Sequence, residues 1–254
     1  MNLIIDIGNT RAKAFAFEGD EIVESMATDH KLTGLAEFSQ RMGCRQGIYS
    51  SVAHIPREGY EALESLGFPM LQLTGQTPVP VNILYHTTET LGADRIAAIM
   101  GARTLQKTGH LLVIDSGTCI TYEFLDAENN YMGGNISPGL DMRLRAMHEG
   151  TALLPLIDRE GEAPEMGYDT ATALRSGVVW GIKYEIEGYI RQFCKNYSPV
   201  SVFLTGGNVK ILGISKESCI FAPESTTGSC QDSMILVDDY LVARGLNAIL
   251  AYNA

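Results

Sequence analysis

The sequence lacks the features that mark secreted, membrane-spanning and zinc-binding chains. Its five cysteines are odd in number and form no Cys-x-x-Cys pair, so neither a disulfide framework nor a zinc site is predicted. No apolar run approaches the roughly 20 residues that cross a bilayer. Asp6 interrupts the first such run, so we expect a first strand there rather than a signal peptide. We therefore predict a cytoplasmic protein with no membrane partner and with reduced thiols at Cys44, Cys119, Cys194, Cys219 and Cys230.

Positive charge is scarce. The chain has 19 lysine and arginine residues against 30 acidic ones, and its pI is near 4.9. Nonspecific binding of nucleic acid needs a clustered basic surface, so we predict no nucleic-acid partner. The five histidines show no metal-ligand spacing, and we interpret all of them as structural or surface residues. The few useful cations are expected to lie close to an anionic ligand.

One short glycine turn occurs twice, each time after an aliphatic strand. The first copy is Asp6-Ile7-Gly8-Asn9-Thr10 and the second is Asp115-Ser116-Gly117-Thr118. Glycine lets backbone N–H groups turn towards phosphate oxygens, while the aspartate at the strand end can reach a metal ion. A single copy is more often an ordinary strand exit. Two copies predict two related domains that face one nucleotide.

Strands and helices alternate along the chain. Strands are predicted around both turns and over 47–52 and 200–204, and helices over 60–66, 92–105 and 172–193. This alternation predicts an α/β fold with mixed β-sheets flanked by helices. No low-complexity linker divides the chain, so we place one boundary near residue 108. The predicted domains are 1–108 and 109–254.

Five motifs in the same order resemble those of type III pantothenate kinases, and they cover almost the whole chain. That family belongs to the superfamily of acetate and sugar kinases, Hsp70 and actin, whose duplicated ribonuclease-H-like domains hold a nucleotide between two phosphate turns. The motifs are Asp6-Ile7-Gly8-Asn9-Thr10 with Lys13, Gly92-Ala93-Asp94-Arg95, Asp115-Ser116-Gly117-Thr118 with Thr121, the glycine-rich run 133–139, and Thr205-Gly206-Gly207.

The resemblance implies an activity, cofactors and partners. The implied reaction is ATP-dependent phosphorylation of pantothenate to 4′-phosphopantothenate, the first step of coenzyme A biosynthesis. The implied cofactors are Mg²⁺ and a monovalent cation, K⁺ or NH₄⁺, and the implied assembly is a homodimer. The family also carries an older label as accessory factors for a transcriptional regulator, which we do not take as a function.

The resemblance assigns the nucleotide to both turns. Asp6 is expected close to Mg²⁺ and Lys13 near the terminal phosphates, although a lysine on a strand is also common as a solvent-exposed residue. Asp115 is the metal ligand expected at the monovalent cation. The full nucleotide-binding set is Asp6, Ile7, Gly8, Asn9, Thr10, Arg11, Ala12, Lys13, Thr118, Gly206 and Gly207.

The acceptor is assigned to Tyr85, Gly92, Ala93, Asp94, Arg95 and Thr170. Asp94 is the expected catalytic residue, because a carboxylate can orient the attacking hydroxyl and take its proton. Arg95 offers a guanidinium either to a carboxylate or to the moving phosphoryl group. Taken alone, this pair is equally typical of a capped helix start with a surface ion pair. Thr170 is the residue that a partner subunit is expected to contribute.

Two other functions stay open from the residues. One is a kinase for another small polyol or acid, which differs in whether Tyr85, Asp94, Arg95 and Thr170 converge on one pocket. The other is a nucleotide-dependent regulatory or interaction protein of the actin-like ATPase fold. That protein would bind ATP without a small-molecule acceptor, and its ATP binding would survive loss of Asp94.

Overall fold

The computed structural model of the chain describes residues 1–213 and 234–254. Two of the predicted reduced thiols, Cys219 and Cys230, lie outside these residues. The first part of the chain forms β1 (Asn2–Ile7), β2 (Ala12–Glu18), β3 (Glu21–Thr28), α1 (Leu35–Met42), β4 (Gln46–Ser51), α2 (Arg57–Glu64), β5 (Met70–Gln72), β6 (Asn82–Ile83) and α3 (Ala93–Leu105). The rest forms β7 (His110–Ser116), β8 (Cys119–Leu125), β9 (Asn130–Pro138), α4 (Leu140–Glu149), α5 (Thr170–Tyr197), β10 (Val200–Thr205), β11 (Met234–Val237) and α6 (Leu241–Tyr252).

The chain divides into two compact units. The first unit contains Met1–Thr108, Glu128–Gly133 and Tyr240–Ala254, and the second contains Gly109–Ala127 and Gly134–Asp239. The C-terminal helix α6 packs on α3 and β1 of the first unit. The domain ranges 1–108 and 109–254 stay a prediction.

A mixed five-stranded sheet forms the centre of the first unit, in the order β3-β2-β1-β4-β5. The central strand β1 runs antiparallel to β2 and parallel to β4. Both faces of β1 are covered, and Leu3, Ile4, Ile5 and Ile7 are fully buried. A strand buried on both faces needs a continuous aliphatic run, which explains why the opening sequence is apolar without alternation. Asp6 is the exception in that run.

The second unit repeats this arrangement. Its strands belong to a six-stranded sheet in the order β11-β10-β7-β8-β9-β6, in which β7 runs antiparallel to β8 and parallel to β10. β9 begins in the first unit, where Asn130 and Tyr131 pair with β6, and continues in the second. Each glycine turn therefore joins the central strand of a sheet to its antiparallel neighbour. The predicted α/β fold with two mixed sheets flanked by helices is confirmed.

The long helix α5 covers the second sheet with one apolar face. Val178, Ile182, Ile186 and Ile190 recur every four residues and are buried. The helix starts at a capping box in which Asp169 Oδ1 accepts a hydrogen bond from the N–H of Thr172 at 2.7 Å. It is longer than the predicted 172–193 at both ends. Among the described helices, none is long and apolar enough to cross a membrane.

Glycines allow α3 and α6 to approach each other closely. A Cβ at Gly245 would overlap the carbonyl of Ala97, and one at Gly101 would overlap the carbonyl of Leu241. Contact between backbones at this distance leaves no room for a side chain. The return of the C-terminal helix to the first unit depends on these two glycines.

We predict that Gly245→Ala lowers the free energy of unfolding by about 1–3 kcal/mol, because the added methyl overpacks a backbone contact. Gly188→Ala in α5 is the matched control, since a Cβ there meets nothing within 4 Å. The control is expected to gain about 0.5–1 kcal/mol from helix propensity. Urea unfolding of both variants measures the difference. Equal effects of the two substitutions would contradict the close crossing of the helices.

Candidate functional site

The first glycine turn lies between β1 and β2. The N–H of Gly8 donates to the carbonyl of Arg11 at 3.2 Å, which closes the turn. Asn9, Thr10 and Arg11 are exposed. Ile7 and Ala12 are fully buried on either side and anchor the turn to the core. Of the predicted nucleotide-binding set, these two therefore offer only backbone groups to a ligand.

Strand register fixes the surroundings of Asp6. In the sheet it lies between Lys13 of β2 and Ser50 of β4, and the Ser50 hydroxyl donates to Asp6 Oδ1 at 3.3 Å. Burial and the negative charge of Asp94 raise the pKa of Asp6 to about 6, while Lys13 and the Ser50 hydroxyl act in the opposite direction. Asp6, Lys13 and Asp94 thus form one electrostatic cluster in the first unit.

Asp94 lies in the first turn of α3. Its Oδ1 accepts a hydrogen bond from the N–H of Arg95 at 2.9 Å, and the positive end of the helix dipole favours a carboxylate there. A Cβ at Gly92 would come within 2.6 Å of the same oxygen, so glycine at this position makes room for the carboxylate. Burial raises the pKa of Asp94 from its ordinary value. Partial burial therefore makes the charged form of Asp94 costly, as it does for Asp6.

Arg95 and Tyr85 lie together in the first unit. Arg95 is only 5% exposed, and its guanidinium carbon lies 5.4 Å from the centre of the Tyr85 ring. Tyr85 stacks on Tyr131, with ring centres 6.5 Å apart, and a Cβ at Gly133 would lie 3.2 Å from it. The sequence left a surface ion pair of Asp94 and Arg95 as an alternative. The Arg95 guanidinium is instead buried against the Tyr85 ring, which does not match a surface ion pair.

The second turn lies between β7 and β8. The N–H of Gly117 donates to the carbonyl of Cys119 at 2.9 Å, and the N–H of Gly139 donates to the carbonyl of Thr118 at 3.1 Å. Gly206 has a φ of +98°, and a Cβ there would overlap the Asp115 carboxylate. The glycine motif after β10 therefore packs directly against the second turn, which explains its spacing in the sequence.

Asn208 is a residue of this region that sequence reasoning missed. It is 5% exposed, and its Nδ2 donates to the carbonyl of Gly117 at 2.7 Å. Its own Oδ1 accepts from Arg159 at 2.5 Å. The only signal in the sequence was its position directly after Thr205-Gly206-Gly207.

The predicted acceptor residues do not all lie in one unit. Tyr85, Gly92, Ala93, Asp94 and Arg95 belong to the first unit, whereas Thr170 is the exposed first residue of α5 in the second.

The oxygen atoms present suit the two expected cations. Mg²⁺ usually takes one or two carboxylates and leaves its other positions to water and substrate phosphates, which fits Asp6. Within residues 1–213 and 234–254, no group of three or more histidine, cysteine or acidic side chains forms a closed metal cage. In the second unit, the Ser116 hydroxyl is buried without a hydrogen-bond partner, next in sequence to Asp115. These oxygens suit a hard monovalent cation.

Comparison with known proteins gives a consistent result for the whole chain. The model of the type III pantothenate kinase family matches residues 2–192. A type III pantothenate kinase of Phocaeicola vulgatus is 43% identical over 254 residues, which cover 100% of this chain and 99% of that protein. One of Bacteroides fragilis is 44% identical over 254 residues, with coverage of 100% and 98%.

Solved structures share the fold at low identity. A Campylobacter jejuni protein described as a Baf family transcriptional activator has a TM-score of 0.60 at 20% identity, covering 99% of this chain and 98% of that one. A Sinorhizobium meliloti protein described as a 2-dehydro-3-deoxygalactonokinase has a TM-score of 0.58 at 14% identity, with coverage of 100% and 99%. These likenesses concern the fold, which is that of sugar kinases and actin-like ATPases.

We predict that Asp6→Asn changes how stability depends on pH. The pKa of about 6 in the folded chain lies above the ordinary value of 3.8. The protonated Asp6 side chain therefore makes its full contribution to the free energy of unfolding below pH 3.8. This contribution is lost as the pH rises to about 6. Asparagine does not titrate, so the variant gains up to about 3 kcal/mol on the native chain between these pH values.

Urea unfolding between pH 4 and pH 8 in a chelating buffer measures this gain. Asp20→Asn in the β2–β3 turn is the control and is expected to follow the native pH dependence. If Asp6→Asn also followed it, Asp6 would have no raised pKa and the carboxylate cluster would be wrong.

Proposed function

The chain belongs to the type III pantothenate kinase family, and we propose on that premise that it transfers the γ-phosphoryl group of ATP to the primary hydroxyl of pantothenate. The product is 4′-phosphopantothenate, the first intermediate of coenzyme A biosynthesis. One observation carries this proposal. The electrostatic influence of Asp94 and Lys13 on Asp6, next to the first glycine turn, supports a proton acceptor beside the bound phosphates.

The turns supply the contacts to ATP. Asn9 and Thr10 are exposed at the tip of the first turn, where backbone N–H groups and the threonine hydroxyl can bind phosphate oxygens. Lys13 enters the same cluster from β2 and adds an ammonium group. In the second unit, Thr118 takes the equivalent position, and Gly206 and Gly207 form the surface for the adenosine. Cradling by N–H groups and a lysine is the usual way to bind a triphosphate.

Asp6 is the residue that would hold magnesium, while Asp94 beside it stays free to act on the acceptor hydroxyl. A bound Mg²⁺ would offset the negative charge of the phosphates. The raised pKa of Asp6 fits this role, because burial and the negative charge of Asp94 both make its charged form unfavourable without a cation. The chain is therefore built to gain stability from a divalent cation at this position.

Asp94 orients the pantothenate hydroxyl and accepts its proton. Its Oδ1 is held by the N–H of Arg95, so we assign the other oxygen, Oδ2, to the hydroxyl. A general base works best when its pKa approaches the operating pH, and burial raises the pKa of Asp94 in that direction. The helix N-terminus keeps the carboxylate in place while the proton moves.

Arg95 supplies positive charge for an anionic group of the reactants. Its burial and its contact with Tyr85 limit its motion, so it can bind such a group with little loss of entropy. A protein that bound only the nucleotide would have no use for this second cluster of Tyr85, Asp94 and Arg95. The cluster therefore favours a kinase over a regulatory protein of the same fold.

The remaining assignments rest on the family resemblance. We propose K⁺ or NH₄⁺ at Asp115, a homodimer in which Thr170 contributes to the acceptor site of the partner subunit, and a cytoplasmic location. The buried Ser116 hydroxyl beside Asp115 supports the cation assignment. The exposure of Thr170 at the start of α5 is compatible with its role at a subunit interface.

We predict that Asp94→Asn lowers kcat for pantothenate by about 10²–10⁴-fold, because asparagine cannot accept the proton. The measurement is ADP release from ATP and Mg²⁺ with and without pantothenate. Asp20→Asn is the matched control and keeps the native rate. ATP binding without pantothenate-dependent turnover in the native chain would overturn the proposal and favour the regulatory protein. Turnover only with another small polyol or acid would keep the kinase and change its substrate.

The monovalent cation gives a separate prediction. Replacing K⁺ by Na⁺ is expected to lower kcat of the native chain, because the family resemblance implies K⁺ or NH₄⁺ as the activating ion. Asp115→Asn should remove most of that difference, since the variant lacks the charged ligand. Equal potassium dependence in the native chain and in the variant would place the cation elsewhere.

A further inference from the structure

A side chain from outside the first turn holds the carbonyl of Gly8. His30 follows β3, and its Nε2 lies 2.8 Å from the Gly8 oxygen. A carbonyl oxygen can only accept, so Nε2 carries a proton and donates it. The segment around His30 is fixed as well, because Asp29 Oδ1 accepts from the N–H of Thr33 at 3.1 Å and Leu32 is buried. The imidazole therefore reaches the turn from a rigid support.

The second unit contains the same arrangement with a different donor. Asn208 Nδ2 donates to the carbonyl of Gly117 at 2.7 Å. The backbone N–H of Asn208 donates to the carbonyl of Ser116 at 2.9 Å, so two successive carbonyls are held by one residue. Arg159 in turn donates to Asn208 Oδ1 and to Asp141 Oδ2, at 2.5 and 2.8 Å. The amide group of Asn208 cannot rotate without breaking these bonds.

Gly8 and Gly117 occupy the same place in the two turns, two residues after the aspartate. Each glycine carbonyl belongs to the peptide group whose N–H is that of the next residue, Asn9 or Thr118. In a trans peptide the C=O and the N–H point in opposite directions. A bond that fixes the carbonyl therefore fixes the direction of the N–H. Glycine rotates its backbone easily, so this peptide would otherwise be the freest part of each turn.

We propose that His30 and Asn208 are positioning residues for the nucleotide, one in each unit. They act through the glycine carbonyls and aim the N–H groups of Asn9 and Thr118 at phosphate oxygens. A hydrogen bond to a carbonyl also polarises its peptide group and strengthens the N–H as a donor. This inference rests on the proposed function, because it takes ATP phosphates as the ligand of both turns. It gives a role to one histidine that the sequence suggested was structural.

The first test uses His30, which is half-buried and can be replaced without opening the core. His30→Phe keeps a ring but has no donor, and we expect KM for ATP to rise about five- to tenfold, the range for one lost hydrogen bond. KM for pantothenate and kcat should stay within twofold of native. His30→Gln places an amide N–H near the position of Nε2 and should restore most of the ATP affinity. A general loss of structure would not produce this split, and glutamine would not reverse it.

The second test uses Asn208→Asp, which removes the donor but keeps an acceptor for Arg159. We again expect a five- to tenfold rise in KM for ATP alone. Asn247→Asp is the matched control, because Asn247 is equally buried and its Nδ2 donates to the carbonyl of Gly19 at 2.9 Å, at the other end of the first sheet.

Calorimetric titration with Mg²⁺ and ADP, without pantothenate, distinguishes failure of the proposed kinase activity from failure of the proposed positioning roles. An inactive native chain that still binds ADP would contradict the kinase, and the affinities of His30→Phe and Asn208→Asp would still decide the positioning roles. Native ADP affinity in both variants, or equal losses in Asn247→Asp, would overturn the inference. Loss of ADP affinity in His30→Phe with recovery in His30→Gln would support it even if Asn208→Asp failed to fold.

Discussion

The first unit keeps two carboxylates, Asp6 and Asp94, close together, although this makes their charged forms unfavourable. Asp6 is set into an otherwise aliphatic central strand, and Asp94 is held at the start of α3 by the N–H of Arg95 and by the glycine that precedes it. Burial and mutual repulsion oppose charge on Asp6. Such an arrangement is unfavourable in the isolated chain and becomes favourable when a cation and phosphates are bound. The unfavourable pairing of these two carboxylates therefore supports the proposed kinase reaction.

The two turns show how a backbone can be prepared for phosphate without bulky side chains. Each turn is anchored by a buried strand, closed by its own hydrogen bond and held at the glycine carbonyl by a donor from another segment. In the proposed nucleotide site, these N–H groups are oriented before the phosphates bind. Preorganised N–H dipoles need no reorientation during the reaction. This avoided reorganisation is the main source of electrostatic catalysis.

Local sequence predicted part of this and could not predict the rest. The strand-turn-strand repeat and the helix around Asp94 were visible because apolar spacing and glycine turns are local signals. The return of α6 to the first unit was not visible, because it depends on Gly101 and Gly245 meeting across the fold. His30 and Asn208 were missed for a similar reason. Each bonds to a backbone carbonyl far along the chain, and such a bond leaves no mark in residue type or spacing.

A carboxyl titration of Asp6 tests the central claim most directly. Carbon-13 NMR of the metal-free chain, labelled at aspartate, is expected to show Asp6 with a pKa of about 6, well above its ordinary 3.8. In Asp94→Asn the same resonance should titrate at a lower pH, because one source of repulsion has gone. If Asp6 titrated near 3.8 in the native chain, or if Asp94→Asn left its pKa unchanged, the two carboxylates would not share one site and the account would fail.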